Sequence, residues 1–259
     1  MNTILALAGV VIKELYRRKD FYVLFVLTAV ITLAIGSINF FHDSNIVRHI
    51  KEICLLLIWI SSLVVAIATT ARQIPAEREQ RTIFPLLAKP VTRGQVIVGK
   101  FAGCWLACGL CLLVFYVFFG ILSGAKEGTW PVGLYLEALW LHWIAIGIVV
   151  ALVLFGSIVF TAPSSNATIS FIAVVGIVLL GGHLNKVALG SAEPIRTIIY
   201  VIYFLIPHLE WYDIRQFITY SHAPVPVIDC ALATLYAAVY TAFLLWATWM
   251  VFRRKALNV

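Results

Sequence analysis

Three sets of residues in this 259-residue chain have types and spacing that could do chemistry. The first is the acidic pair Glu77 and Glu79, inside the long charged stretch IPAEREQRTIFPLLAKPVTRGQVIVGK from Ile74 to Lys100. Tandem acids could serve a Glu/His metalloprotease working inside a membrane. That chemistry needs acids and histidines inside hydrophobic spans, where a metal ion can be held by both. Glu77 and Glu79 lie between spans, and no second span carries a matching His. The second set is Cys104, Cys108 and Cys111. In a bent loop this spacing would suit an iron–sulfur cluster, but here it falls on one face of an apolar helix, which cannot wrap a cluster. These thiols read as small packing residues. The third set is the six histidines, His42, His49, His142, His183, His208 and His222, whose irregular spacing matches no metal-binding pattern. No metal site or cofactor is expected. Nor is a nucleotide site, because Gly94 and Gly99-Lys100 do not form a GxxxxGK[ST] loop.

The elements around these residues are set by composition. Hydrophobic residues make up 62% of the chain and charged residues 12%. A soluble domain carries roughly 25% charged residues. This composition describes an all-α integral membrane protein, one domain over 1–259, with no room for a large soluble part. The net charge of +7 does not point to nucleic acid, because the basic residues gather in a few loops between apolar runs. All five cysteines fall in apolar runs, so no disulfide framework is expected.

Six spans are expected, at 21–41, 53–71, 101–122, 138–162, 167–182 and 230–252, each near the length that crosses a ~30 Å hydrocarbon layer. Residues 1–20 carry an apolar stripe (Ile4, Leu7, Val11, Leu15) broken by Lys13, Glu14, Arg17, Arg18 and Lys19. They read as an interfacial helix on the inner leaflet. Pro163 to Asn166 reads as a tight turn. Residues 183–228 read as a hairpin of short helices on the outer side, because the apolar run 197–207 is too short to span. With six spans, thirteen Lys and Arg fall on the side of both termini and of 72–100, and six on the other. The positive-inside rule then makes the termini and the 74–100 loop cytoplasmic.

The 74–100 loop cannot lie in hydrocarbon. Pro75 suits a first helical turn, and Glu77 and Glu79 complement the positive end of a short helix. Ile83, Phe84, Leu86 and Leu87 form an apolar knob suited to a groove on a soluble partner. Pro90 ends the helix, and Thr92 is an N-cap for the next span.

This loop, its place between spans two and three, and the chain length resemble the ABC type-2 transporter permeases. The matching positions are Glu77, Glu79, Thr82, Leu86, Leu87, Pro90, Thr92, Arg93, Gly99 and Lys100, with Arg81 standing where a small residue is usual. The nearest subgroup resembled is the permease associated with nitrous-oxide-reductase copper-site maturation. The resemblance implies a non-catalytic membrane subunit of an ATP-driven exporter. It would pair as a homodimer, or with a related permease, and bind a separate ABC ATPase subunit. Glu77, Arg78, Glu79, Thr82, Leu86, Leu87, Pro90 and Arg93 would then be the ATPase-coupling residues, on and around a coupling helix. An alternative is a non-transporting anchor through which an ATPase acts mechanically on envelope proteins.

Four further residues are candidates for a path or gate: Glu137, His142, Glu210 and Asp213. Polar groups at such depth are often functional. For Glu137 and His142 the competing reading is interfacial anchoring, and for Glu210-Trp211-Tyr212-Asp213 it is an aromatic belt.

Overall fold

The computed structural model describes residues 2–17, 19–37, 46–79, 92–219 and 225–254. Of the expected coupling residues, Thr82, Leu86, Leu87 and Pro90 lie outside them. The described residues form helices and no strands: α1 (Asn2–Arg17), α2 (Lys19–Ser37), α3 (Ile46–Thr70), α4 (Pro75–Glu79), α5 (Arg93–Glu127), α6 (Val132–Val159), α7 (Pro163–Gly190), α8 (Ile195–Leu205), a 3-10 turn (Leu209–Tyr212), α9 (Arg215–Thr219) and α10 (Val227–Arg254). By length and composition, five of the described helical stretches can cross a membrane; they contain α3, α5, α6, α7 and α10. The first expected span is covered by α2 only as far as residue 37, and residues 38–45 lie outside the described set.

Local chemistry explains where the helices begin and end. The Thr92 hydroxyl accepts from the Gln95 amide, and the Gln95 side chain accepts from the Thr92 amide. This reciprocal capping box satisfies two donors that α5 would otherwise leave open. At the far end Gly128 takes φ +71°, and its amide donates to Gly124 O. Pro163 sits in the first turn of α7, where its missing N–H costs nothing. The expected turn at 163–166 is therefore the start of a helix. Helices also outrun their apolar stretches, since a hydrogen-bonded ladder continues until something caps it. α7 runs on to Gly190, through residues expected to belong to the hairpin.

α6 is the central helix. It is apolar on every side, and its buried residues run from Leu134 to Ile158. A helix of that kind belongs in the middle of a bundle. α3, α5, α7 and α10 pack around it. α1 lies lengthwise on the first half of α5, with Leu7 over Gly99 and Val11 over Gly103. Its Lys13, Glu14 and Arg17 are exposed. Phe25 of α2 meets the rings of Phe115 and Phe118 of α5.

Small residues admit close contacts here, though often to rings. Trp105 of α5 and Trp143 of α6 stack with centroids 4.6 Å apart. Each indole N–H donates to the other residue's backbone carbonyl, at 3.0 and 3.1 Å. Gly109 and Gly147 leave space for these rings. At Gly103 a Cβ would stand 2.9 Å from Ala8 Cα and 2.8 Å from Val11 Cβ. Gly103→Val is therefore expected to cost about 1–3 kcal/mol by overpacking, seen as a lower melting temperature in detergent. Gly133→Ala, which meets nothing within 4 Å, is expected to leave it unchanged.

Candidate functional site

Gln73 and Glu77 are four residues apart, so both face the same neighbour. That neighbour is Lys100 of α5, whose Nζ donates to Gln73 Oε1 at 3.1 Å and to Glu77 Oε1 at 2.5 Å. Lys100 is only 5% exposed, while the Glu77 side chain is 24% exposed. A buried ammonium needs such partners to remain charged. The pair fixes α4 to the first turns of α5.

Three more contacts close this end of the bundle. Ile74, Ile97, Leu154, Ile158 and Phe252 form one buried cluster, which joins the turn before α4 to α5, α6 and α10. Arg93 Nη1 donates to the carbonyls of Phe252, at 2.5 Å, and Arg253, at 3.3 Å. Its guanidinium also lies over the Phe252 ring. A cation on the last carbonyls of α10 complements the negative end of that helix. Asn166, fully buried at the start of α7, donates from Nδ2 to Ala71 O (3.2 Å) and Val153 O (3.3 Å), and its Oδ1 accepts from Ser170. So α3, α4, α5, α6, α7 and α10 are tied together around residues 71–77. Arg78 is half-buried and Glu79 is exposed.

The other candidates lie apart from this end. His142 is buried, with Nε2 2.7 Å from the Ser62 hydroxyl. Ser62 gives its one proton to Trp59 O, so Nε2 carries the proton that joins the two side chains. Tyr116 OH is 3.5 Å from Nδ1, and the Trp59 ring covers the imidazole. His142 thus locks α6 to α3 and α5. Glu137 points elsewhere, accepting from Cys230 Sγ of α10 at 3.2 Å. The structure does not bring these two residues together.

Glu210 and Asp213 also separate. Asp213 makes a two-point pair with Arg215, which pushes the already high pKa of that guanidinium upward. Glu210 lies against Gly181 of α7, with Oε1 3.3 Å from His208 Nδ1. His208 is buried among the rings of Tyr203, Trp211 and Tyr236. Three tyrosine hydroxyls fasten this segment to α10. Tyr236 OH accepts from the His208 amide, Tyr212 OH donates to Ala233 O, and Tyr240 OH donates to Leu205 O. Cys104, Cys108 and Cys111 are buried core residues. Among the described residues no group of three or more His, Cys, Asp and Glu could hold a metal.

Reasoning from the sequence missed Lys100 as the partner of Glu77, and it missed Gln73, Asn166 and the end of α10. The four-residue step from Gln73 to Glu77 was the available signal for the first of these.

Helices of spanning length, a buried central helix and a charged turn tied into one end define a multi-pass membrane protein. The family model for the ABC-2 family transporter proteins matches residues 10–256, and the chain belongs to that family. Members are membrane transport components, generally non-catalytic, and generally pair with an ABC ATPase subunit. A comparison with curated proteins returns no match.

Proposed function

We propose that this chain is the permease subunit of an ABC exporter and that α4 is its coupling helix. The observation that carries this reading is the junction around residues 71–77. A push on α4 passes to α5 through Lys100–Glu77, to α6 and α10 through the Ile74 cluster, and to α7 through Asn166. A short charged helix joined to so many spans is a mechanical input. Glu77, Arg78 and Glu79 on α4, with Thr82, Leu86, Leu87 and Pro90 beyond it, form the surface that meets the ATPase. Arg93 acts from behind by holding the end of α10. The membrane is the inner (plasma) one, and both termini and α4 are cytoplasmic, the orientation being what the Lys and Arg count argues. Six spans and a dimer of permeases complete the assembly. The segment from His208 to Arg215 is the outer gate.

The test is co-purification of the tagged full chain in mild detergent, with mass spectrometry of what accompanies it. A stoichiometric ABC ATPase is expected with the wild-type chain. It is expected to fall at least tenfold in the Glu77→Ala, Glu79→Ala double variant. A folded wild-type chain that brings no ATPase would overturn the reading.

A further inference from the structure

Arg78 has an edge that nothing fills. Its Nε and Nη2 are out of contact with solvent, and neither has a hydrogen-bond partner among the described residues. A charged donor buried in this state is costly. These two donors point the same way from the guanidinium plane and take a carboxylate side-on. The chain shows the filled form elsewhere. Arg215 gives Nε to Asp213 Oδ1 at 2.6 Å and Nη2 to Asp213 Oδ2 at 2.5 Å.

Nearby sequence offers no carboxylate for the empty edge. Glu77 is held by Lys100. Glu79 is the adjacent residue and faces a different side of the helix. Residues 80–91 contain Arg81 and Lys89 but no Asp or Glu. On the side read as cytoplasmic, thirteen Lys and Arg stand against four acids, Glu14, Asp20, Glu77 and Glu79. A surface that docks there meets an excess of positive charge.

We propose that the Nε/Nη2 edge of Arg78 receives, at two points, a carboxylate of the ATPase subunit. This rests on the coupling reading above and names the chemistry of the contact. A protein carboxylate is favoured because the same Nε/Nη2 fork already holds one within this chain, at Arg215–Asp213; the edge is closed to solvent in the free chain. A shift of α4 must open it, and that movement is the one a docking subunit imposes on a coupling helix.

The test uses the full chain with its native ATPase, comparing wild type, Arg78→Lys and Arg78→Met. One readout is the ATPase retained per permease in neutral detergent; the other is the melting temperature of the permease stripped of ATPase. Both variants are expected to lose retention at least tenfold, Arg78→Lys included, because an ammonium lacks the planar fork. Stripped Arg78→Met is expected to melt at or above the wild-type temperature, since it removes two buried donors that lack partners. Wild-type retention by Arg78→Lys would overturn the proposal. So would a clear fall in the melting temperature of stripped Arg78→Met, which would mean that the edge serves the permease itself. Retention that depends on Arg78 only in phosphatidylglycerol nanodiscs, and not in phosphatidylcholine or neutral detergent, would assign the edge to lipid phosphate instead. A wild-type chain without ATPase removes the coupling reading and this proposal with it. An ATPase kept equally by wild type and Arg78→Lys removes only the proposal.

Discussion

Glu77→Ala is expected to destabilise the chain by about 3 kcal/mol, because it strands a buried ammonium with a single remaining acceptor. Lys100 is 5% exposed and would keep only Gln73. For a chain of this size that corresponds to a fall of roughly 6–12 °C in melting temperature. Lys100→Met should cost less. It removes the buried ammonium itself, and the Glu77 side chain, 24% exposed, is less enclosed than Lys100. The Glu77→Ala, Lys100→Met double variant is then expected to melt well above Glu77→Ala alone, a non-additivity of about 1–3 kcal/mol. Its ATPase retention should stay low, because the link from α4 to α5 is gone. Thermal unfolding of the three variants in one detergent checks the order. Equal losses for both single variants with simple addition would show that the pair contributes little at this junction.

The second large effect is expected at Asn166. Asn166→Asp replaces two N–H donors with a carboxylate facing Ala71 O and Val153 O at a fully buried position. An uncompensated buried charge costs about 3–5 kcal/mol. The protonated acid is close in shape to asparagine and keeps one donor. Burial raises the folded-state pKa of such an acid above the ~3.9 of the unfolded chain. The unfolded state therefore releases its proton first as pH rises, and the penalty grows with pH until the folded carboxyl ionises. Melting curves at several pH values should show the gap to wild type smallest near the acid end and widest at neutral pH. Asn166→Leu should lose less, with no pH dependence of its own. A gap that does not change with pH would place the new carboxyl in water and the Asn166 side chain outside the junction.

How far the sequence can be read differs from one element to the next. Thr92 is legible as a cap because capping is decided by a few adjacent residues, and the box with Gln95 is local. Pro163 reads as a turn because proline marks turns and first helical residues alike, and only the continuing hydrogen bonds of α7 separate the two. His142 and Glu137 pair as path candidates by closeness in sequence. Five residues apart on one helix, they project differently, and one meets Ser62 while the other meets Cys230. Lys100 is visible as part of a motif but not as the partner of Glu77. A contact 23 residues apart in the chain depends on how α4 folds back, which no periodicity records.

The sequence by itself determined the class of molecule. Long uncharged runs separated by basic loops leave a chain no soluble alternative, since removing that much apolar surface from water outweighs every other preference of the chain. It also marks 74–100 as the stretch expected to stay out of hydrocarbon, because a charge there is too costly to bury alone. Tertiary structure alone decided what the polar residues are for. Arg93 closes the end of α10, Asn166 binds α3 to α6 and α7, and Lys100 anchors α4. Each is a hydrogen bond whose worth depends on distance, direction and burial of both partners. Those quantities exist only once distant segments have packed against one another.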